Sequence, residues 1–306
     1  MNDERARLTQ RAALASMAMA LVLVLLKTWA SVATDSVAML GSLADTALDL
    51  VASLLTFLGV RWAAVPADED HRFGHGKAEA LAALVQIILI SVSALLIAWR
   101  AFGQLMSGAR TEGLELGLGV SLFAMAATFA LLAYQRSVIR RTGSVAIETD
   151  HVHYQSDLLL NLAVIAALLL DQIGGFALAD PLFGFAIALW LLYGAGRAAS
   201  RSVDQLMDRE WPAHERAAFL AAARDYPELA GLHDLRTRHA GTHRFVQFHV
   251  WVPADWTVRE AHDRMDRIEE QLQARFPGTE FLIHLDPEGH IDRETMLPSD
   301  LTEQIP

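Results

Sequence analysis

No cysteine occurs among the 306 residues, so disulfides and thiolate ligation are both excluded, and any metal site here is built from histidines and carboxylates. Lysine is nearly missing too, with Lys27 and Lys77 the only two. There is no basic block of the size nucleic acid requires, and the formal net charge of -11 argues against such a partner while suiting metal cations. H-E-x-x-H, G-x-S-x-G and P-loop patterns are absent, which speaks against hydrolytic chemistry. The charged start "MNDERARLTQR" has no small-residue cleavage site after the apolar run that follows, so the first segment does not read as a removable signal peptide.

What is present is apolar surface: 53% of the residues are hydrophobic, which points to the membrane class. A bilayer core of ~30 Å takes about 20 helical residues. Six segments meet that length, near residues 12–33, 38–63, 79–106, 113–136, 145–171 and 178–201. In a six-span arrangement Arg5, Arg7, Arg11, Arg61, Arg72, Lys77, Arg136, Arg140, Arg141, Arg197, Arg201 and Arg209 share one side, and the opposite loops hold only Arg100 and Arg110. That asymmetry predicts both termini in the cytoplasm. Beyond the spans the pattern changes to short alternating segments in the order helix, strand, strand, helix, strand, which predicts a small α+β unit with its helices on one sheet face. The expected domains are 1–208, a six-helix transmembrane bundle; 209–290, a cytoplasmic metal-binding α+β (αββαβ) domain; and 291–306, a loose tail.

Inside the second span, "SLADTALDL" holds Asp45 and Asp49 four residues apart, on one helix face with Cβ atoms ~5–6 Å from each other. Each aspartate at membrane depth costs about 2.5–3.5 kcal/mol, and the two repel, so something compensates them. In the fifth segment "HVHYQSD" presents His153 and Asp157 at the same spacing. One imidazole and three carboxylates form an oxygen-rich set suited to tetrahedral Zn²⁺ and tolerable to Fe²⁺ or Mn²⁺. Empty, this set carries about three negative charges in low dielectric, so it should take up protons that a divalent ion displaces. A water-lined polar face without an ion, and a helix-capping His153, are the plainer readings of the separate pairs.

These stretches, together with "DEDHRFGHGKAEALA" (68–82), "HDLRTRHAGTHRFVQFHV" (233–250) and "FPGTEFLIHLDP" (276–287), make the chain resemble the cation diffusion facilitators, especially the bacterial zinc and iron efflux pumps among them. The resemblance implies a six-helix transporter with a metallochaperone-like cytoplasmic domain, working as a homodimer in the inner membrane and exchanging Zn²⁺ for H⁺. It also implies a transport site at Asp45, Asp49, His153 and Asp157. By chemistry alone, Asp68, His71 and His75 in the loop after the second span fit a weak metal site and a solvated loop equally; the resemblance implies a zinc there. It further implies a binuclear zinc site, with His233, His249 and Asp286 holding one ion and His262, His284 and the shared Asp286 the other. Lys77 would pair with Asp208 across subunits. His239 and His243 match none of these sets and read as surface residues or auxiliary metal traps. The function expected is proton-coupled divalent-metal efflux, with Zn²⁺ both as substrate and as a structural or regulatory ion; a passive divalent-cation channel and a membrane metal sensor are the alternatives.

Overall fold

The computed structural model describes residues 2–34, 37–107, 118–174, 178–241 and 243–289. Six long helices come first: α1 (Asn2–Thr34), α2 (Val37–Ala63), α3 (Ala78–Ser107), α4 (Leu118–Thr142), α5 (Val145–Gly174) and α6 (Ala179–Leu206). Several outrun the predicted spans, α1 at its start and α4 and α6 at their ends the most. α1 begins ten residues early, because Asp3 and Glu4 sit where the helix dipole favours acidic groups. α4 continues past residue 136 because Arg140 and Arg141 suit a helix C-terminus, and it stops at Gly143, whose φ of 67° and N–H bond to the Ile139 carbonyl (2.8 Å) close the last turn.

Among the described residues, stretches long and apolar enough to cross a bilayer are Glu4–Ala30, Thr46–Ala63, Ala78–Met106, Leu122–Thr142 and Pro181–Leu206. The first half of α5 carries Glu148, Asp150, His151, His153 and Asp157, ahead of the apolar run that begins at Leu158. The bundle places apolar bulk outside and polar groups inside. Leu25, Trp29, Trp99, Phe129, Leu189 and Tyr193 are exposed, as lipid-facing residues should be, while Ser16, Ser53, Thr56, Gln86, Gln135 and Asp150 are buried. α2 and α3 touch most closely at Gly59, where an added Cβ would lie 2.1 Å from the Cβ of Ala82. Small residues permit that approach, as they do between membrane helices generally.

A second compact unit starts at Asp204. It holds α7 (Ala213–Ala223), a 3₁₀ turn (Pro227–Leu229), β1 (His233–Ala240), β2 (His243–Val252), α8 (Val258–Arg275) and β3 (Thr279–Pro287). The sheet order is β1-β2-β3, with β1 antiparallel and β3 parallel to β2. Phe219 of α7 and Met265, Ile268 and Leu272 of α8 join Val246, Phe248, Val250 and Phe281 of the sheet in one apolar cluster. α8 is started by a capping box: the Thr257 side chain accepts from the Glu260 N–H, and Glu260 accepts from the Thr257 N–H. The predicted tail, 291–306, lies outside the described residues.

Candidate metal centres

α2 and α5 pack against each other and carry the first centre. His153 Nε2 lies 3.1 Å from Asp49 Oδ1 and 3.9 Å from Asp157 Oδ2. One ligand atom from each of the three falls within 4.8 Å of the others, and all three residues are half-buried. Such a cluster, with an imidazole nitrogen facing two carboxylate oxygens, can close around a divalent cation. Asp45 lies one turn before Asp49 on α2, and its side chain is outside the described ones.

Beside this centre a buried polar network fastens α5. Asp150, with no exposed surface, accepts from Gln86 Nε2 of α3 (3.0 Å) and from Gln135 Nε2 of α4 (2.8 Å). Gln86 Oε1 accepts from Thr56 of α2 (2.9 Å), and Gln135 also donates to Ser16 Oγ of α1 (3.0 Å). Tyr154 donates to the Ser16 carbonyl and shares a hydrogen bond with Ser53 (2.7 Å). At the start of α5, Ser144 accepts from the Ile147 N–H (3.2 Å) and donates to the buried Glu79 of α3, which thereby anchors the helix N-terminus. Sequence reasoning missed Asp150, Gln86, Gln135 and Glu79. The available signal was position: Asp150 precedes His153 by three residues and Asp157 by seven, on the same helical stripe.

In the loop between α2 and α3, His71 Nδ1 and His75 Nε2 each lie 3.3 Å from an oxygen of Asp68. Asp68 also accepts the backbone N–H groups of His71 (2.7 Å) and Asp70 (3.0 Å), and the first of these holds its carboxyl below the usual carboxylate range. His75 is buried, and its Nδ1 faces the Pro66 carbonyl at 3.2 Å. A proton on Nδ1 there leaves Nε2 free to ligate. Gly74, at φ 76°, makes the turn that returns His75 to Asp68.

The cytoplasmic unit gathers His233, His249 and Asp286. Asp286 Oδ2 lies 3.2 Å from His233 Nε2 and 2.9 Å from His249 Nδ1, and its side chain is 5% exposed. The sheet register creates this meeting, because His249 stands opposite His233 on β1 and His284 on β3. The His233 ring is fixed through Nδ1, 2.9 Å from the Gly231 carbonyl, and packs on Trp251 at 4.7 Å. His284 Nε2 lies 3.3 Å from Asp286 Oδ1, and its ring is 4.4 Å from that of His249. His262, on α8, is outside this group and faces Asp266 at 3.2 Å. Asp208 meets Arg238 at 3.4 Å, and Lys77 stands in the short turn ahead of α3. His239 stacks on Trp211 at 5.6 Å, and His243 is exposed at the start of β2.

Residues 13–207 match the cation efflux transmembrane domain, and residues 211–288 match the cation efflux protein cytoplasmic domain. The cation-efflux pump FieF of Serratia proteamaculans (strain 568) is 42% identical over 287 residues, covering 94% of this chain and 95% of its own length. The protein of the same name from Yersinia pestis (strain Pestoides F) is 42% identical over 294 residues, covering 96% and 98%. A solved structure of CzrB in a zinc form, described as a zinc transporter, is 36% identical, covers 28% of this chain and 99% of that chain, and has a TM-score of 0.26.

Proposed function

Because this chain belongs to the cation efflux (cation diffusion facilitator) family of membrane transporters, we propose that it expels divalent metal ions, Zn²⁺ foremost and Fe²⁺ and Cd²⁺ besides, in exchange for protons. The observation that carries this reading is the convergence of Asp49, His153 and Asp157 from α2 and α5. Asp45, four residues from Asp49, completes the set. The metal is the substrate here, and the ligands serve two occupants in turn. With the ion bound, its charge offsets the carboxylates; with the ion gone, protons take its place on His153 and the aspartates. A site alternately open to either side then couples metal leaving to protons entering.

The protein is a homodimer of the inner membrane with both termini in the cytoplasm, and Lys77 of one subunit pairs with Asp208 of the other. Zinc in the cytoplasmic unit is held by His233, His249 and Asp286, with His262, His284 and Asp286 supplying a second position; bound there, it cross-links the sheet. Asp68, His71 and His75 hold a further ion in the loop. The donor sets suit this: imidazoles meeting a nearly buried carboxylate in one unit, and two imidazoles on one carboxylate in the other.

Zinc uptake into proteoliposomes tests the exchange. An imposed proton gradient running against the direction of metal movement should accelerate uptake, and dissipating it should slow uptake. Uptake indifferent to the gradient would rule the coupling out.

A further inference from the structure

Glu79, in the first turn of α3, is 2% exposed and belongs to none of the three candidate metal centres. A carboxyl buried at the end of an apolar span is costly unless donors surround it. Here the donors come from another helix. Ser144 Oγ and the Ala146 N–H (3.4 Å) both donate to Glu79 Oε1, and Ser144 itself accepts from the Ile147 N–H (3.2 Å). Two N–H groups that α5 cannot satisfy within itself are thus met, one by Glu79 and one by the serine that Glu79 holds. Seven residues further along α3, on the same stripe, Gln86 donates to Asp150 (3.0 Å). Between these two grips on α5, Ala82 seats against Gly59 of α2. α3 supplies none of Asp49, His153 and Asp157, yet it packs on both helices that do.

Ala146 and Ile147 also lie in an apolar cluster with Ala12, Val60 and Val138, so α5 stays seated without the carboxyl. Apolar packing is non-directional, whereas hydrogen bonds to Oε1 fix the height and rotation of the helix start. That placement sets the width of the transport site. Tetrahedral zinc with bonds of about 2.0–2.1 Å brings its ligand atoms about 3.3–3.4 Å apart, and His153 Nε2 lies 3.1 Å from Asp49 Oδ1 across the α2–α5 seam. A larger ion such as Cd²⁺ forms longer bonds and needs a wider gap.

We infer that Glu79 is a positioning residue that holds α5 at zinc width from α2 and so makes the site discriminate against larger divalent ions. The inference rests on the reading of Asp49, His153 and Asp157 as the transport site.

The test compares the KM for Zn²⁺ and for Cd²⁺ in proteoliposomes for wild type, Glu79→Ala, Glu79→Gln, Ser144→Ala and the double alanine variant. Glu79→Ala should raise the Zn²⁺ KM about tenfold and the Cd²⁺ KM by less than about threefold. A shortage of folded protein lowers the maximal rate for both ions equally, so a changed ratio of the two KM values reports position and not stability. Glu79→Gln keeps an acceptor for Ser144 and Ala146 and should keep the wild-type ratio. The double variant should be no worse than the worse single one, because both substitutions break the same contact. A Glu79→Ala protein with the wild-type ratio overturns the inference, as does a double variant in which the two losses multiply. Should Glu79→Ala not fold, Ser144→Ala, which removes one hydroxyl, decides by the same ratio. Failure of the transport-site reading shows differently: Asp49→Ala would then take up both ions with wild-type KM values.

Discussion

In the membrane unit Asp49 stands on α2 while His153 and Asp157 stand on α5; in the cytoplasmic unit His233, His249 and His284 occupy opposed positions of one hydrogen-bonded sheet, with Asp286 two residues from His284. The residue types are the same. What differs is the scaffold. Two helices joined by side chains can shift against each other, so a site split between them can be made and unmade within a cycle. Strands tied by a backbone ladder keep their register, so ligands on a sheet stay together whether or not an ion is present. A site that must let go belongs between helices, and a site that must hold belongs on a sheet.

The sharpest way to break this contrast is to remove one carboxylate from each scaffold. Asp49→Ala should reduce zinc uptake into proteoliposomes by more than about a hundredfold, since outer partners of metal ligands alone are worth 10–100-fold, while the purified protein keeps its fold and its elution as a dimer. Asp286→Ala should leave uptake within about tenfold of wild type and instead abolish the zinc-dependent stabilisation of the cytoplasmic unit. In wild type that stabilisation should reach about 2.7 kcal/mol at a zinc concentration a hundred times Kd, and chelation should reverse it in a melting experiment. If Asp286→Ala stops transport as completely as Asp49→Ala does, the division of labour is wrong.

A smaller effect probes how α5 is held. Gln86→Leu strips a donor from Asp150 and an acceptor from Thr56, both buried. It should cost about 1–3 kcal/mol of bundle stability, read as a lower unfolding temperature with zinc affinity in the cytoplasmic unit unchanged. The smallest effect concerns α8. Hydrogen bonding to the Thr257 backbone holds the Glu260 carboxyl below its usual range. A depressed folded value means that the cap's contribution is present above the ordinary glutamate range and fades as pH falls through the lowered value. Amide exchange in the first turn of α8 should accelerate over that acidic interval, and Glu260→Gln, which does not titrate, should remove the pH dependence.

The contrast also separates what the chain disclosed in advance from what it withheld. The α+β order and the histidine-strand positions were legible because alternation and the His-x-Asp spacing of His284 and Asp286 are local signals. The pairing of β3 parallel to β2, which places His284 opposite His249, was not legible, since parallel register depends on where α8 returns the chain. Likewise the i, i+4 pairs of α2 and α5 pointed to the proposed site, where Asp49, His153 and Asp157 meet, but Asp150 was passed over: a lone acid near a helix start reads as interfacial until Gln86 and Gln135, distant in sequence, are seen to close over it. Helix ends drifted where charged turns continued past the apolar runs, at Asn2 and at Thr142.

The tight seam at Gly59 and Ala82 has a mechanical corollary. With no room for even one methyl group, α2 and α3 form a tight stave, and α5 packs on both of them, so the proposed alternation would move α5 against the stave. A chain devoid of native thiols is a convenient place to watch that happen: a bridge stapled within the stave should leave traffic running, and one stapled across the α2–α5 seam should jam it.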